Sequence, residues 1–184
     1  MKNCLKTWGF LLVFIHLGLT SSLKADSRYR SKLGVDFSAF KPNPSETIGW
    51  LTGINWGRYL GDSQVYWGFG VYFGTPAGKA LTQEYLTFAG LELGWELATS
   101  KKTLFEFELL VGYGQGEKKN IGLKEHSYYL AKPGIAFGFK LGQGWKVLAT
   151  GNYIHMSDAK DFSGPCVGLR LEFKSQSSSK FLND

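Results

Sequence analysis

Eight stretches of this chain carry apolar residues at every second position, the spacing that puts them all on one face of an extended strand. From Val65 to Gly74, Val65, Trp67, Phe69, Val71 and Phe73 alternate with Tyr66, Gly68, Gly70, Tyr72 and Gly74. Large residues therefore take one face and small or amphipathic ones the other. Leu33, Val35, Phe37 and Ala39 oppose Gly34, Asp36 and Ser38, and Ile48, Trp50, Ile54 and Trp56 oppose Gly49, Gly53, Asn55 and Gly57. Tyr85, Ala89, Leu91, Leu93, Trp95 and Leu97 stand against Gly90, Glu92, Gly94 and Glu96. Phe105, Phe107, Leu109, Val111 and Tyr113 stand against Glu106, Glu108, Gly112 and Gly114. Tyr129, Ala131, Ile135, Phe137 and Phe139 oppose Lys132, Gly134, Gly138 and Lys140, and the last stretch sets Val167, Leu169, Leu171 and Phe173 against Gly168, Arg170 and Glu172. The seventh stretch, Trp145 to Met156, is ambiguous. The 24 glycines and the wealth of Phe, Tyr and Trp fit strands and leave almost no place for helix.

The connections alternate in length. Leu60 to Gln64, Thr99 to Lys102 and Leu141 to Gly144 are tight. Lys41 to Glu46, Gly74 to Glu84, Gly116 to His126 and Ser157 to Pro165 are longer and rich in Pro, Gly, Lys and Asp. Eight strands of about ten residues with short turns on one side and long loops on the other are the plan of a transmembrane barrel, the turns facing the periplasm. The fold expected is all-β: a single eight-stranded antiparallel up-and-down transmembrane β-barrel over residues 26–173.

Ahead of it, residues 1–25 read as a signal peptide: a basic start, the apolar run Trp8 to Leu19, then Thr20 to Ala25 with small residues. Such a run rises only about 18 Å as a helix, short of a hydrocarbon core of about 30 Å. With that segment gone, 18 basic residues face 15 acidic ones, an excess too small to point to nucleic acid. Cys4 leaves with the signal, so Cys166 has no partner for an internal disulfide. Residues 174–184 are Ser-rich and polar, and are expected to be a disordered tail.

A soluble lipid-binding cup would also show period two, with its large apolar face inward and a polar exterior. In this chain the second face is glycine-rich with scattered charges. Glu92, Glu96, Glu106, Glu108, Lys132, Lys140 and Arg170 suit a narrow lumen filled by ion pairs better than a solvent face. Trp50, Trp95 and Trp145, with Tyr59, Tyr85, Tyr113, Tyr128, Tyr129 and Tyr153, are expected to form aromatic girdles at the two interfaces.

The chain resembles the opacity-protein and OmpA-type small outer-membrane barrels, most specifically in Gly168-Leu-Arg-Leu171-Glu-Phe173, similar to the terminal signal by which such barrels are recognised for assembly. The resemblance implies an outer-membrane location after Sec-type secretion, contact with the barrel-assembly machinery, outer-membrane lipids including lipopolysaccharide as partners, and a monomer. It implies no activity, because one scaffold hosts many functions.

One pair suggests chemistry. His155 and Ser157 share a strand face near the outer-leaflet end, and a His that takes a Ser proton is half of an acyl-transfer site. The pair resembles, locally, the His-x-Ser of lipid A 3-O-deacylase barrels. That family has Asn after the Ser where this chain has Asp158, and a Glu where this chain has Leu169. Asp158, Asp161 or Glu172 would have to orient the His. The expectation is therefore a structural or surface-interaction barrel without enzymatic activity, cofactor or metal. A lipid A acyl hydrolase using His155 and Ser157 and a soluble periplasmic lipid-binding barrel are the alternatives. The stretch Gly112 to Glu117 resembles a phosphate loop only superficially, since no helix follows.

Overall fold

A computed structural model describes residues 30–43, 47–60, 63–75, 84–100, 102–118, 123–142, 144–157 and 162–175. The proposed signal peptide, residues 1–25, lies outside these. Eight strands follow in order: β1 (Ser31–Phe40), β2 (Gly49–Tyr59), β3 (Val65–Thr75), β4 (Glu84–Ala98), β5 (Thr103–Lys118), β6 (Leu123–Gly142), β7 (Trp145–Met156) and β8 (Gly164–Ser175). Each pairs antiparallel with its sequence neighbours, and β8 pairs with β1, so the sheet closes into an up-and-down barrel. Closure leaves no strand edge unpaired, which is the condition for spanning lipid with strands.

Side-chain parity follows the sequence pattern. Val35, Phe37, Ile54, Leu91, Leu93, Phe107, Ile135, Leu169 and Leu171 are exposed on the outer face, whereas Asp36, Asn55, Glu92, Glu106, Glu108, Lys132 and Arg170 are buried inside. The seventh strand resolves as well: Trp145, Ala149, Tyr153 and His155 point out, and Lys146, Leu148, Thr150, Asn152, Ile154 and Met156 point in.

Four details differ from the sequence reading. The hairpin expected to open at Gly116 continues as ladder, with Gly116 paired to His126 and Lys118 to Leu123, because β5 and β6 go on pairing where composition resembles a loop. The barrel does not end at Phe173: β8 runs through Lys174 to Ser175, and residues 176–184 lie outside the described residues. Tyr59 and Tyr128 are 1% and 5% exposed; both point into the lumen by strand parity and are not girdle residues. Lys140, expected in the lumen, is exposed, because it stands at the mouth beside a register shift between Lys140 and Gly142.

The interior has two zones. Toward the long-loop end Phe40, Leu51, Leu86, Phe88, Leu130, Ile154, Met156, Phe162 and Cys166 pack into one apolar cluster. Toward the short-turn end the filling is ionic. Room for large inward residues comes from glycines on neighbouring strands: Tyr66 lies opposite Gly94, and a Cβ there would sit within 2.5 Å of its ring. Tyr72 lies over Gly53 in the same way, so big side chains interlock with absent ones across the narrow lumen.

Candidate functional site

Two places on the barrel carry polar chemistry: the lumen, and the outer rim of β7. In the lumen, Arg170 of β8 forms the upper knot. Its Nε donates to both carboxylate oxygens of Asp36 at 3.0 Å, while its two terminal nitrogens donate to Glu108 at 2.6 and 3.0 Å. Asn55 and the Tyr72 hydroxyl also donate to Asp36, at 2.6 and 3.1 Å, and Lys132 donates to Glu108 at 3.3 Å. An isolated buried charge is strongly disfavoured, so each carboxylate is held by several donors.

The lower knot is built on Lys146. The carboxylates of Glu96, Glu106 and Glu172 converge from β4, β5 and β8 with oxygens all within 4.8 Å of one another, a spacing that could hold a metal ion. The Lys146 ammonium stands at 2.8, 3.0 and 2.6 Å from those three groups and supplies the positive charge itself. Lys32 adds a second cation, 3.4 Å from Glu106, 3.2 Å from Glu172 and 3.6 Å from Glu92. At the mouth, Lys174 lies 3.4 Å from Glu96 and over the Tyr59 ring. The Tyr59 hydroxyl also donates to Glu96.

Sequence reasoning placed Glu92, Glu96, Glu106, Glu108, Lys132 and Arg170 in the lumen, and all six are there. It passed over Lys32, Asp36, Lys146 and Glu172 as network members, although the same alternation marks them. Asp36 and Glu172 were on the inward face of their stretches, and Lys146 was hidden by the ambiguity of the seventh.

At the rim, β7 carries His155 outward and exposed, across from Ala131 of β6, with Ser157 just past the strand end. The Ser157 hydroxyl accepts the Tyr129 backbone N–H at 3.2 Å, and its own N–H donates to the Tyr129 carbonyl at 2.9 Å. Among the described residues no carboxylate is hydrogen-bonded to His155. Glu172 cannot serve as orienter: it is buried in the lumen opposite Lys146, near the other end of the barrel. Leu169 points outward opposite Ala149, and Asp158 and Asp161 lie outside the described residues.

A closed eight-stranded barrel with an apolar exterior and a lumen blocked by side chains defines the class of small outer-membrane-type barrels. Solved members of that class share the architecture. The N-terminal β-barrel domain of Pseudomonas aeruginosa OprF superposes with a TM-score of 0.57 at 13% identity, over 80% of this chain and 98% of that one. The attachment invasion locus protein Ail of Yersinia pestis gives 0.52 at 11% identity over 79% and 98%. Neisserial surface protein A gives 0.57 at 9% identity over 79% and 96%. The sequence matches no protein-family model and no curated protein. The likeness therefore rests on fold, and the fold is that of these outer-membrane barrels.

Proposed function

We propose that the chain is an integral outer-membrane barrel with a structural or surface-interaction role and no enzymatic activity, secreted with a cleaved signal peptide and in contact with outer-membrane lipids, lipopolysaccharide among them. The observation that carries this reading is the parity of the wall: large apolar side chains cover the outside, and the charges are paired inside. Lipid solvates such an exterior and water does not, which speaks against the soluble cup. The test is fractionation of expressing cells coupled to gel electrophoresis with and without boiling. A membrane barrel is expected in the outer-membrane fraction with a heat-dependent shift in migration. Recovery in the soluble periplasm without such a shift would overturn the assignment.

A second reading, acyl-ester hydrolysis on lipid A with His155 as base and Ser157 as nucleophile, has one observation in its favour: β7 carries His155 outward at the long-loop end, with Ser157 two residues on. The ester-linked chains of that lipid would lie at this height. Among the described residues no carboxylate is placed to fix the imidazole tautomer or to stabilise the imidazolium. Lipid A masses from cells expressing the chain or its Ser157→Ala variant decide between the readings. Identical, fully acylated lipid A in both is expected; a deacylated product absent from the variant would establish the hydrolase.

A further inference from the structure

The described lumenal charges fall into two balanced sets with one carboxylate left over. In the upper knot Asp36 and Glu108 face Arg170 and Lys132. In the lower knot Glu96, Glu106 and Glu172 face Lys146, Lys32 and, at the mouth, Lys174. Glu92 on β4 belongs to neither set and is 2% exposed. Among the described residues its ion pair is with Lys32 at 3.6 Å, and that ammonium already lies 3.4 Å from Glu106 and 3.2 Å from Glu172. The same ammonium sits over the Tyr66 ring, 3.4 Å from its centroid. Glu92 Oε1 is buried without a hydrogen-bond partner. Arg30, a further cation at the mouth, lies over the Tyr59 ring and pairs with none of the described lumenal carboxylates.

The register explains this arrangement. Lys32, Gly57, Gly68 and Glu92 follow one another across β1, β2, β3 and β4, so two glycines open the path along which Lys32 reaches Glu92. The other charged or titratable groups facing Glu92 are Tyr66 and Tyr72 from β3, Glu108 from β5, Lys132 from β6 and Arg170 from β8, with Glu106 and Glu172 beyond the shared Lys32. Lys132 and Arg170 are engaged by Glu108 and Asp36. An ionised Glu92 would therefore add an uncompensated negative charge to a packed interior, where burial disfavours the charged form. We propose that Glu92 is a proton-binding site of the lumen: its carboxyl holds a proton in the folded barrel at neutral pH, and that proton makes the barrel more stable as the medium acidifies. In the unfolded chain a glutamate ionises above about pH 4.3. Above that value unfolding releases the proton of Glu92, which favours the unfolded state by up to about tenfold per pH unit until the folded carboxyl itself ionises.

Glu92→Gln preserves the shape of the side chain and fixes it in a neutral form. The urea midpoint of this variant in vesicles should match the wild type at about pH 4 and exceed it by a growing margin toward neutral pH. Glu108→Gln, which removes a carboxylate held by Arg170 and Lys132, should instead lower the midpoint at neutral pH. A Glu92→Gln midpoint equal to or below that of the wild type at neutral pH would overturn the proposal, because Glu92 would then be ionised and stabilised by Lys32. Infrared spectroscopy of the folded wild type supplies a second readout that needs no variant to fold. The carbonyl stretch of a protonated carboxyl, which carboxylates lack, is expected at neutral pH and should be lost in Glu92→Gln. No such band in the wild type, or an undiminished band in the variant, would likewise sink the assignment. None of these outcomes alters the heat-dependent gel shift by which the membrane reading stands or falls.

Discussion

Arg170 on β8 grips Glu108 on β5 across the lumen with both terminal guanidinium nitrogens, at 2.6 and 3.0 Å. The two strands are not neighbours in the sheet, so the pair ties opposite walls of the barrel together. The same guanidinium holds Asp36 on β1 through Nε. One planar cation thus fixes the spacing of three strands, a geometry the point charge of a lysine would not reproduce.

Arg170→Ala is expected to destabilise the barrel by about 3–5 kcal/mol, because Asp36 and Glu108 are left buried with their main cation gone. Urea unfolding in vesicles followed by tryptophan emission measures it. A shift under about 1 kcal/mol would mean that the carboxylates are readily neutralised without Arg170. A quadruple replacement that removes Asp36, Glu108, Lys132 and Arg170 together in favour of apolar residues should recover part of the loss, since it leaves neither carboxylate nor the Lys132 ammonium, paired to Glu108, buried without a counterion.

Gly94→Val should abolish folding into the heat-modifiable form, because its Cβ would stand 2.1 Å from the Tyr66 ring. Gly151→Val should fold normally: that glycine faces lipid, and a Cβ there meets only Ile135 at 3.9 Å. Gel shifts of the two variants side by side give the readout, and equal folding of both would mean that Tyr66 does not occupy the space over Gly94.

Wild-type protein in planar bilayers should show no steady ion conductance. The apolar cluster from Phe40 to Cys166, capped by Phe162 against Tyr128, blocks the long-loop half, and the ion pairs fill the other. Eight strands leave an interior just wide enough for side chains. Discrete single-channel steps would show that this filling gives way.

Cys166, the one cysteine outside residues 1–25, is buried against the lumenal cluster. A maleimide reagent should leave it unmodified in the folded barrel and label it fully after boiling in detergent. Rapid labelling of the folded form would place Cys166 outside the packed interior.

Local pattern determined the wall. Period two along each stretch assigned the faces of β3, β4 and β5 residue by residue, because in a strand the direction of a side chain follows from parity alone. Alternating connection lengths likewise gave the up-and-down order. Parity also dictates that Lys146 and Glu172 point inward, but which groups meet there depends on closure. Glu96, Glu106 and Glu172 are far apart in the chain, and only the rolled sheet brings their oxygens around one ammonium. Where strands end was decided in the same way: β5 and β6 keep pairing through glycine and lysine that read locally as loop, and Lys140 leaves the lumen because the strand reaches the mouth there. For Tyr59 and Tyr128 the aromatic residue type suggested an interface, but strand parity carries them inward to fill the lumen. Where the alternation is unbroken the sequence by itself determines which face a residue takes, since that is a property of one strand; where strands end and which residues become partners are properties of the closed barrel, set by register and curvature that no single strand contains.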